Sequence, residues 1–232
     1  MWIESEDVQQ RQPASMVDVS FKIECAGLPV DHTAKLAKSL CEQQTWLRTL
    51  DGTGIHPIHV AGSQNGWQRP VGADQLLLLS KRTRLRIRIE CGYADRLIKT
   101  LQGTTHLIEG QSLKIMGGRV NVLQPVATLF ARYTVFLEDQ RNRKDGSSAA
   151  DEQLLTRRVI DSCNQLGYTP SKLLCGRSNT LATTSEPVTV RSVLLADVPA
   201  EYSLQLQDAG LGDLRLMGCG ILIPHKDTAA VN

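Results

Sequence analysis

Two histidines occupy places where an imidazole could transfer protons. His32 follows Asp31 at the predicted start of a helix, where unpaired backbone N–H groups and the helix dipole favour an anion such as phosphate. A histidine that titrates near neutral pH could give a proton to a phosphate ester there, or accept one from it. The simpler interpretation of His32 is an exposed residue at a helix start. His56 is the second candidate, although its segment "GIHPIHVAG" also suits a turn packed beneath a sheet or a metal pair lacking other ligands.

Arginines at alternate positions form a second candidate site. The segment "RLRIRIE" (84–90) alternates, so Arg84, Arg86 and Arg88 are predicted on one strand face, about 6.6 Å apart. Such a row repels itself unless carboxylates or an anionic ligand compensate, so it is either a solvated face or a surface that follows phosphates. Arg157 and Arg158, predicted to face outward from a later helix, add positive charge. Aromatic residues make up only 4% of the chain, which predicts binding by charge and shape rather than by base stacking.

Glycines form two Gly-x-Gly pairs in "GLGDLRLMGCGILIPHK" (210–226). They are Gly210, Gly212, Gly218 and Gly220, with Arg215 between the pairs. The pairs follow a predicted helix and precede a strand, and no Gly-Lys-Ser/Thr is present, so a nucleotide-phosphate loop is disfavoured. Two interpretations remain: a helix cap with a β-bulge, and a loop whose backbone lies directly against a polynucleotide.

Two similar series of elements are predicted to position these residues. Residues 16–124 have the order strand, helix, strands, helix, strand, and a second series follows over 125–232 after Gln124-Pro125. This is the βαββαβ plan, so the sequence predicts an α+β fold of two tandem ferredoxin-like (RRM-like) modules. The polar residues 1–15 are predicted to be a disordered extension.

Local patterns add more specific expectations. "MVDVSFKIE" (16–24) alternates as a half-buried strand does, and Asp31 is a candidate N-cap for the helix that follows. "LLLLS" (76–80) is predicted to be a short buried run. "SLKIMGGRVNVL" is predicted to fold back on Gly117-Gly118, and "LRLMGCGILIP" to form a closing strand pair or a bent strand.

Composition limits the class of protein. The chain has 232 residues and a formal net charge of only +2, so the total charge alone does not indicate a nucleic-acid partner. Six scattered cysteines without a Cys-x-x-Cys spacing predict reduced thiols and neither a zinc site nor a disulfide framework. No apolar run of eighteen residues and no secretion signal are present, which predicts a cytoplasmic protein without a membrane segment. No metal-ligand cluster stands out in the sequence, so no cofactor is expected.

Taken together, the tandem modules, the histidine at the first helix and the C-terminal glycine-rich loop resemble the repeat-associated RNA-binding superfamily. More narrowly, the chain resembles the CRISPR repeat-processing endoribonucleases, the Cas-six family in its Myxan subtype. The resemblance extends from residue 16 to about residue 225. It rests on "MVDVSFKIECAGLPVDH", "GIHPI", "RLRIRIE" and, most specifically, "AGLGDLRLMGCGILIP".

The resemblance implies binding of the hairpin repeat of a CRISPR precursor RNA and one cut at the 3′ base of its stem. The family needs no metal, because the ribose 2′-hydroxyl attacks the phosphorus and leaves a 2′,3′-cyclic phosphate. His32 matches the family's catalytic histidine, and His56 is our second choice because no tyrosine partner lies near His32. The glycine-rich loop with Arg215 would hold the RNA, and the arginine row would grip the stem.

The resemblance also implies partners and leaves two alternatives. Such enzymes often remain on the guide RNA as a subunit of a type I effector complex, of the defence or the transposon-associated kind. The chain could instead be a non-catalytic RNA-binding subunit of such a complex. A weaker alternative is a small-molecule-binding ferredoxin-like domain whose arginines are ordinary surface residues.

Overall fold

The structure is a computed structural model that describes residues 14–59, 75–141 and 148–225. Most of the predicted N-terminal extension therefore lies outside the described residues. The elements of the first half are β1 (Met16–Glu24), β2 (Gly27–Pro29), α1 (Thr33–Gln43), β3 (Gly54–Ile55), β4 (Leu76–Leu78), β5 (Arg84–Glu90), α2 (Ala94–Leu101), β6 (Thr105–Ile108) and β7 (Gln111–Val122). The second half contains β8 (Leu129–Thr134), α3 (Leu137–Arg141), α4 (Ser148–Gln165), β9 (Lys172–Leu181), β10 (Val188–Ala196), α5 (Ala200–Ala209) and β11 (Ile223–Pro224).

The first sheet is antiparallel and has the order β3-β5-β1-β7-β6. Alternation in β1 buries Val19 and Phe21 against α1 and α2, which contribute residues such as Leu40 and Leu97 to the same core. Because β1 and β5 are central, with β3 and β7 outside them, the sheet has the ferredoxin-like arrangement. Strand β6 extends it beyond β7.

The second sheet repeats this arrangement with the order β11-β8-β10-β9. Helices α4 and α5 pack on one face, where Val159 and Leu206 join Leu129 and Val193 in a second core. The predicted α+β fold with two ferredoxin-like units is therefore confirmed. The first sheet ends at Val122 and the second begins at Leu129, while the division into domains at residues 124 and 125 stays a prediction.

Several local predictions are wrong for identifiable reasons. The N-cap of α1 is His32 rather than Asp31, and no side chain caps the helix. Leu76 and Leu78 are exposed, since β4 pairs only with the short β2. Strand β7 continues through Gly117-Gly118 with a register shift, because a bulge absorbs the extra residue without a turn.

The chain after α5 also differs from its prediction. Instead of a strand pair, residues 211–222 form a loop with a 3₁₀ turn at Arg215–Met217, and only the two-residue β11 joins the sheet. None of the described helices combines the length and apolar character that a membrane crossing requires.

Candidate nucleic-acid interface

A cleft of about 850 Å³ opens on the face of the first sheet that lies opposite its helices. Its floor consists of side chains from β1, β5 and β7, and its far wall includes Gln207 of α5 and Pro224 of β11. The cleft is therefore bordered by both ferredoxin-like units.

Strand register concentrates positive charge on this floor. Ser20 of β1 lies between Arg86 of β5 and Arg119 of β7, and Lys22 lies opposite Arg84. Arg86 and Arg119 are exposed, whereas the Arg84 guanidinium also donates 2.8 Å hydrogen bonds to the carbonyls of Lys81 and Thr83. Cations spaced at strand intervals suit the phosphates of a polynucleotide.

Part of this surface was not predicted from the sequence. Lys22 and Arg119 lie far apart in the chain, and neither belongs to a run of basic residues. The available signal was their place on the polar face of an alternating strand, which becomes a site only when β1, β5 and β7 pair.

Arg88 does not lie on the cleft surface, although the sequence predicts it there beside Arg84 and Arg86. It is fully buried, and its guanidinium pairs with the Asp18 carboxylate through Nε and Nη2 at 2.9 and 3.0 Å. Its Nη1 donates to the carbonyls of Gln207 and Leu222 at 3.0 and 2.7 Å. Because the second ferredoxin-like unit covers this end of β5, Arg88 joins the two units, and its predicted position on the outer face with Arg84 and Arg86 is wrong.

His56 completes the cluster around Asp18. Its Nε2 lies 3.1 Å from Asp18 Oδ1, and the ring is buried. Burial lowers the pKa of His56, with Arg88 and Arg86 adding to the effect and Asp18 opposing it. Burial also works to raise the pKa of Asp18, but the hydrogen bonds and charges of His56 and Arg88 hold it well below its usual range. Neutral His56 therefore donates its Nε2 proton to an ionised Asp18.

His32 is buried at the start of α1, where an exposed position was one alternative. Its Nδ1 donates to the Pro29 carbonyl at 2.8 Å, and its Nε2 accepts the Ile58 N–H at 3.1 Å. Both ring nitrogens are thus bonded to backbone, which fixes the Nδ1–H tautomer. His32 does not line the cleft described above. The structure therefore does not bring the two predicted catalytic histidines together at one open surface.

The four glycines of the loop all have φ between +67° and +84°, where other residues are strained. A Cβ at Gly212 would collide with the Val135 carbonyl, and one at Gly220 with the Leu211 carbonyl. Gly210 lies against Arg215 and Gly218 against Pro57. The glycines thus let the loop pack against the protein itself, and their predicted contact with RNA stays a prediction.

The remaining predicted arginines have different surroundings. Arg215 turns inward and donates from Nη1 to the carbonyls of Asp208 and Ala209 at the end of α5. Burial lowers the pKa of Arg215 to about 10, so it remains charged. Arg158 pairs with Glu138 and Asp139, whereas Arg157 is exposed. Of the two helix arginines, Arg157 thus matches the predicted outward orientation. Among the described residues, no ion pair is seen for it, in contrast to Arg158.

Neither histidine belongs to a metal-binding cluster in the described part of the chain. Over residues 14–59, 75–141 and 148–225, no group of three or more His, Cys, Asp or Glu side chains could hold a metal ion.

Comparisons with known proteins agree with this architecture. The family model described as "Cas6 Crispr" matches residues 17–227. The CRISPR-associated endonuclease Cas6 of Myxococcus xanthus (strain DK1622) is 28% identical over 216 residues, which cover 93% of this chain and 84% of that protein.

Solved structures show the same fold at low sequence identity. "CRISPR associated protein Cas6" aligns with a TM-score of 0.59 at 9% identity, covering 91% of this chain and 100% of that one. "An RAMP protein binding different RNA substrates" aligns with a TM-score of 0.59 at 13% identity, covering 89% and 98%. Since the family model spans nearly the whole described chain, the chain belongs to the Cas6 family of CRISPR proteins.

Proposed function

We propose that this chain is an endoribonuclease that binds the hairpin repeat of CRISPR precursor RNA and cuts it at the 3′ base of the stem. The observation that carries the proposal is the basic floor of the cleft, with Arg86 and Arg119 exposed on either side of Ser20, in a member of the Cas6 family. The M. xanthus relative is itself named an endonuclease, which supports a cutting activity.

The proposed reaction uses no metal. The ribose 2′-hydroxyl attacks the adjacent phosphorus, the bond to the 5′-oxygen breaks, and the products carry a 2′,3′-cyclic phosphate and a 5′-hydroxyl. A base removes the 2′-hydroxyl proton, an acid protonates the leaving oxygen, and a cation stabilises the phosphorane charge. The exposed arginines of the cleft floor would instead hold phosphates of the bound RNA away from the reacting bond.

His32 is the proposed proton-transfer group, with His56 as the second choice. Because both nitrogens of His32 are bonded to backbone, the proposal requires that bound RNA replaces its bond to Pro29 or Ile58. His56 would in turn have to exchange its bond to Asp18 if it acts through Nε2.

The test is cleavage of repeat RNA by the purified chain in EDTA, followed by analysis of the product ends. We expect a product with a cyclic phosphate, and a loss of at least about a hundredfold in rate for His32→Ala with RNA binding retained. His59→Ala is the matched control, since His59 is exposed on the same segment as His56. Wild-type rates for both His32→Ala and His56→Ala would contradict the histidine mechanism.

A non-catalytic RNA-binding subunit is the second candidate, and the buried, fully bonded ring of His32 favours it. In that case the same gel would show a stable complex with hairpin RNA and no shortened product. For the enzyme, we propose that it stays on its product as a subunit of a type I effector complex. Product formation that stops at one equivalent per protein would support this.

A further inference from the structure

A row of apolar side chains crosses the second sheet on the face opposite α4 and α5. In register, the row is Ile223 opposite Phe130, Phe130 opposite Leu194, and Leu194 opposite Leu174. Their strand neighbours, such as Leu129 and Val193, are buried against the helices, so the row itself points the other way.

Among residues 14–59, 75–141 and 148–225, nothing covers this row. Past the register shift in β10, Tyr133 and Val190 pack against Cys219 of the glycine-rich loop, which covers the adjoining end of the sheet. Leu174 is 65% exposed, and Phe130, Leu194 and Ile223 are half-buried. Apolar side chains thus remain partly accessible along the row, and adjoining apolar groups at a surface are a feature of many binding sites.

The groups around Phe130 indicate what would bind. The His225 ring lies 5.3 Å from the Phe130 ring at an interplanar angle of 53°, and the Arg132 guanidinium carbon lies 6.0 Å from its centroid. An aromatic face beside a cation and an imidazole suits a planar base attached to a phosphate.

The position of the row in the fold points the same way. Phe130 and Leu194 lie on β8 and β10, the first and third strands of their series and the central pair of the sheet. In RRM domains, which share this βαββαβ plan, aromatic side chains on the open face of the sheet stack two or three bases.

We propose that the open face of the second sheet binds single-stranded RNA adjacent to the repeat hairpin, with one base stacked on Phe130. This inference rests on the proposed function, because it concerns the flank of the same RNA. It revises the expectation that low aromatic content excludes base stacking: a single phenylalanine suffices where the register centres it on an open sheet.

The experiment compares two RNAs made uncleavable by a 2′-deoxy sugar at the cut site. One is the bare hairpin, and the other carries a single-stranded flank of about eight nucleotides, within the span of one binding module. For the flanked RNA, we expect Phe130→Ala to weaken binding roughly tenfold, the loss of one stacked base. Binding of the bare hairpin should not change.

Further variants separate stacking from folding. Phe130→Leu keeps the apolar volume without the π face, so it should weaken binding of the flanked RNA as Phe130→Ala does. Phe130→Trp keeps an aromatic face and should bind the flanked RNA as tightly as wild type. Leu107→Ala is the matched control, because Leu107 is 71% exposed on the first sheet. A photoreactive 4-thiouridine in the flank should crosslink to the peptide that contains Phe130.

Each outcome separates the two proposals. If wild-type protein binds the hairpin, and Phe130→Leu binds the flanked RNA as tightly as wild type does, the stacking site is wrong. The stacking site is also wrong if Phe130→Ala weakens binding of the flanked RNA but Phe130→Leu does not, because apolar volume and not the π face would then make the contact. If wild-type protein binds neither RNA, the proposed function itself fails.

Discussion

Arg88 links the two ferredoxin-like units, because its guanidinium pairs with Asp18 of β1 and donates to the carbonyls of Gln207 and Leu222. Alternation in β5 correctly separates Leu85, Ile87 and Ile89 from the arginines, because period-two burial is a property of the strand itself. It cannot tell which arginine the second ferredoxin-like unit covers. Arg84 and Arg86 remain beside the cleft, whereas Arg88 lies where α5 and β11 approach the sheet.

Removing the Arg88 guanidinium should destabilise the protein strongly. Arg88→Met leaves the Asp18 carboxylate without its bidentate partner, and breaking a buried pair costs about 3–5 kcal/mol. The double variant Asp18→Asn/Arg88→Met should cost less, because no uncompensated charge remains. Chemical unfolding measures both, with Arg86→Met as the exposed control, expected within about 0.5 kcal/mol of wild type. Equal free energies of unfolding for Arg88→Met and Arg86→Met would show that the pair contributes nothing.

At the scale of elements, sequence periodicity identifies the helices and strands whose side chains alternate between core and solvent. Strand β1 is predicted at its observed bounds, Met16–Glu24. Strand β9 has a weak sequence signal because it lies at the sheet edge, where most of its side chains are exposed and residues 177–180 include no apolar residue. The loop after α5 was mistaken for strand because its shape depends on distant backbone, such as the Val135 carbonyl against Gly212.

Gly220 should be the most sensitive position of that loop. Its φ is +67°, its N–H donates to Tyr133, and its carbonyl accepts from Leu211, whose own carbonyl fills the place of a Cβ. Gly220→Ala should therefore lower the free energy of unfolding by more than about 2 kcal/mol. Gly92→Ala is the control, since Gly92 has open space around it. If the two variants melt at the same temperature, the loop is not held by these contacts.

The cleft exists only at the scale of the whole molecule. The formal net charge of +2 gives no sign of its basic floor, because acidic residues elsewhere balance the cations that β1, β5 and β7 bring together. Composition therefore could not predict the RNA surface, and the arginine row in β5 predicted only one strand of it. What the sequence lacked was the register that sets Arg119 and Arg86 on either side of Ser20.

The salt dependence of RNA binding should report on this assembled surface. Each phosphate contact releases counterions, so the logarithm of the affinity falls linearly with the logarithm of the salt concentration. Arg86→Ala and Arg119→Ala should each reduce that slope by about one, and the double variant by about two. Binding of uncleavable repeat RNA across a salt series measures the slopes. Lys99→Ala is the control, because Lys99 is exposed on α2, behind the sheet and away from the cleft. An unchanged slope in the double variant would mean that the hairpin does not lie in this cleft.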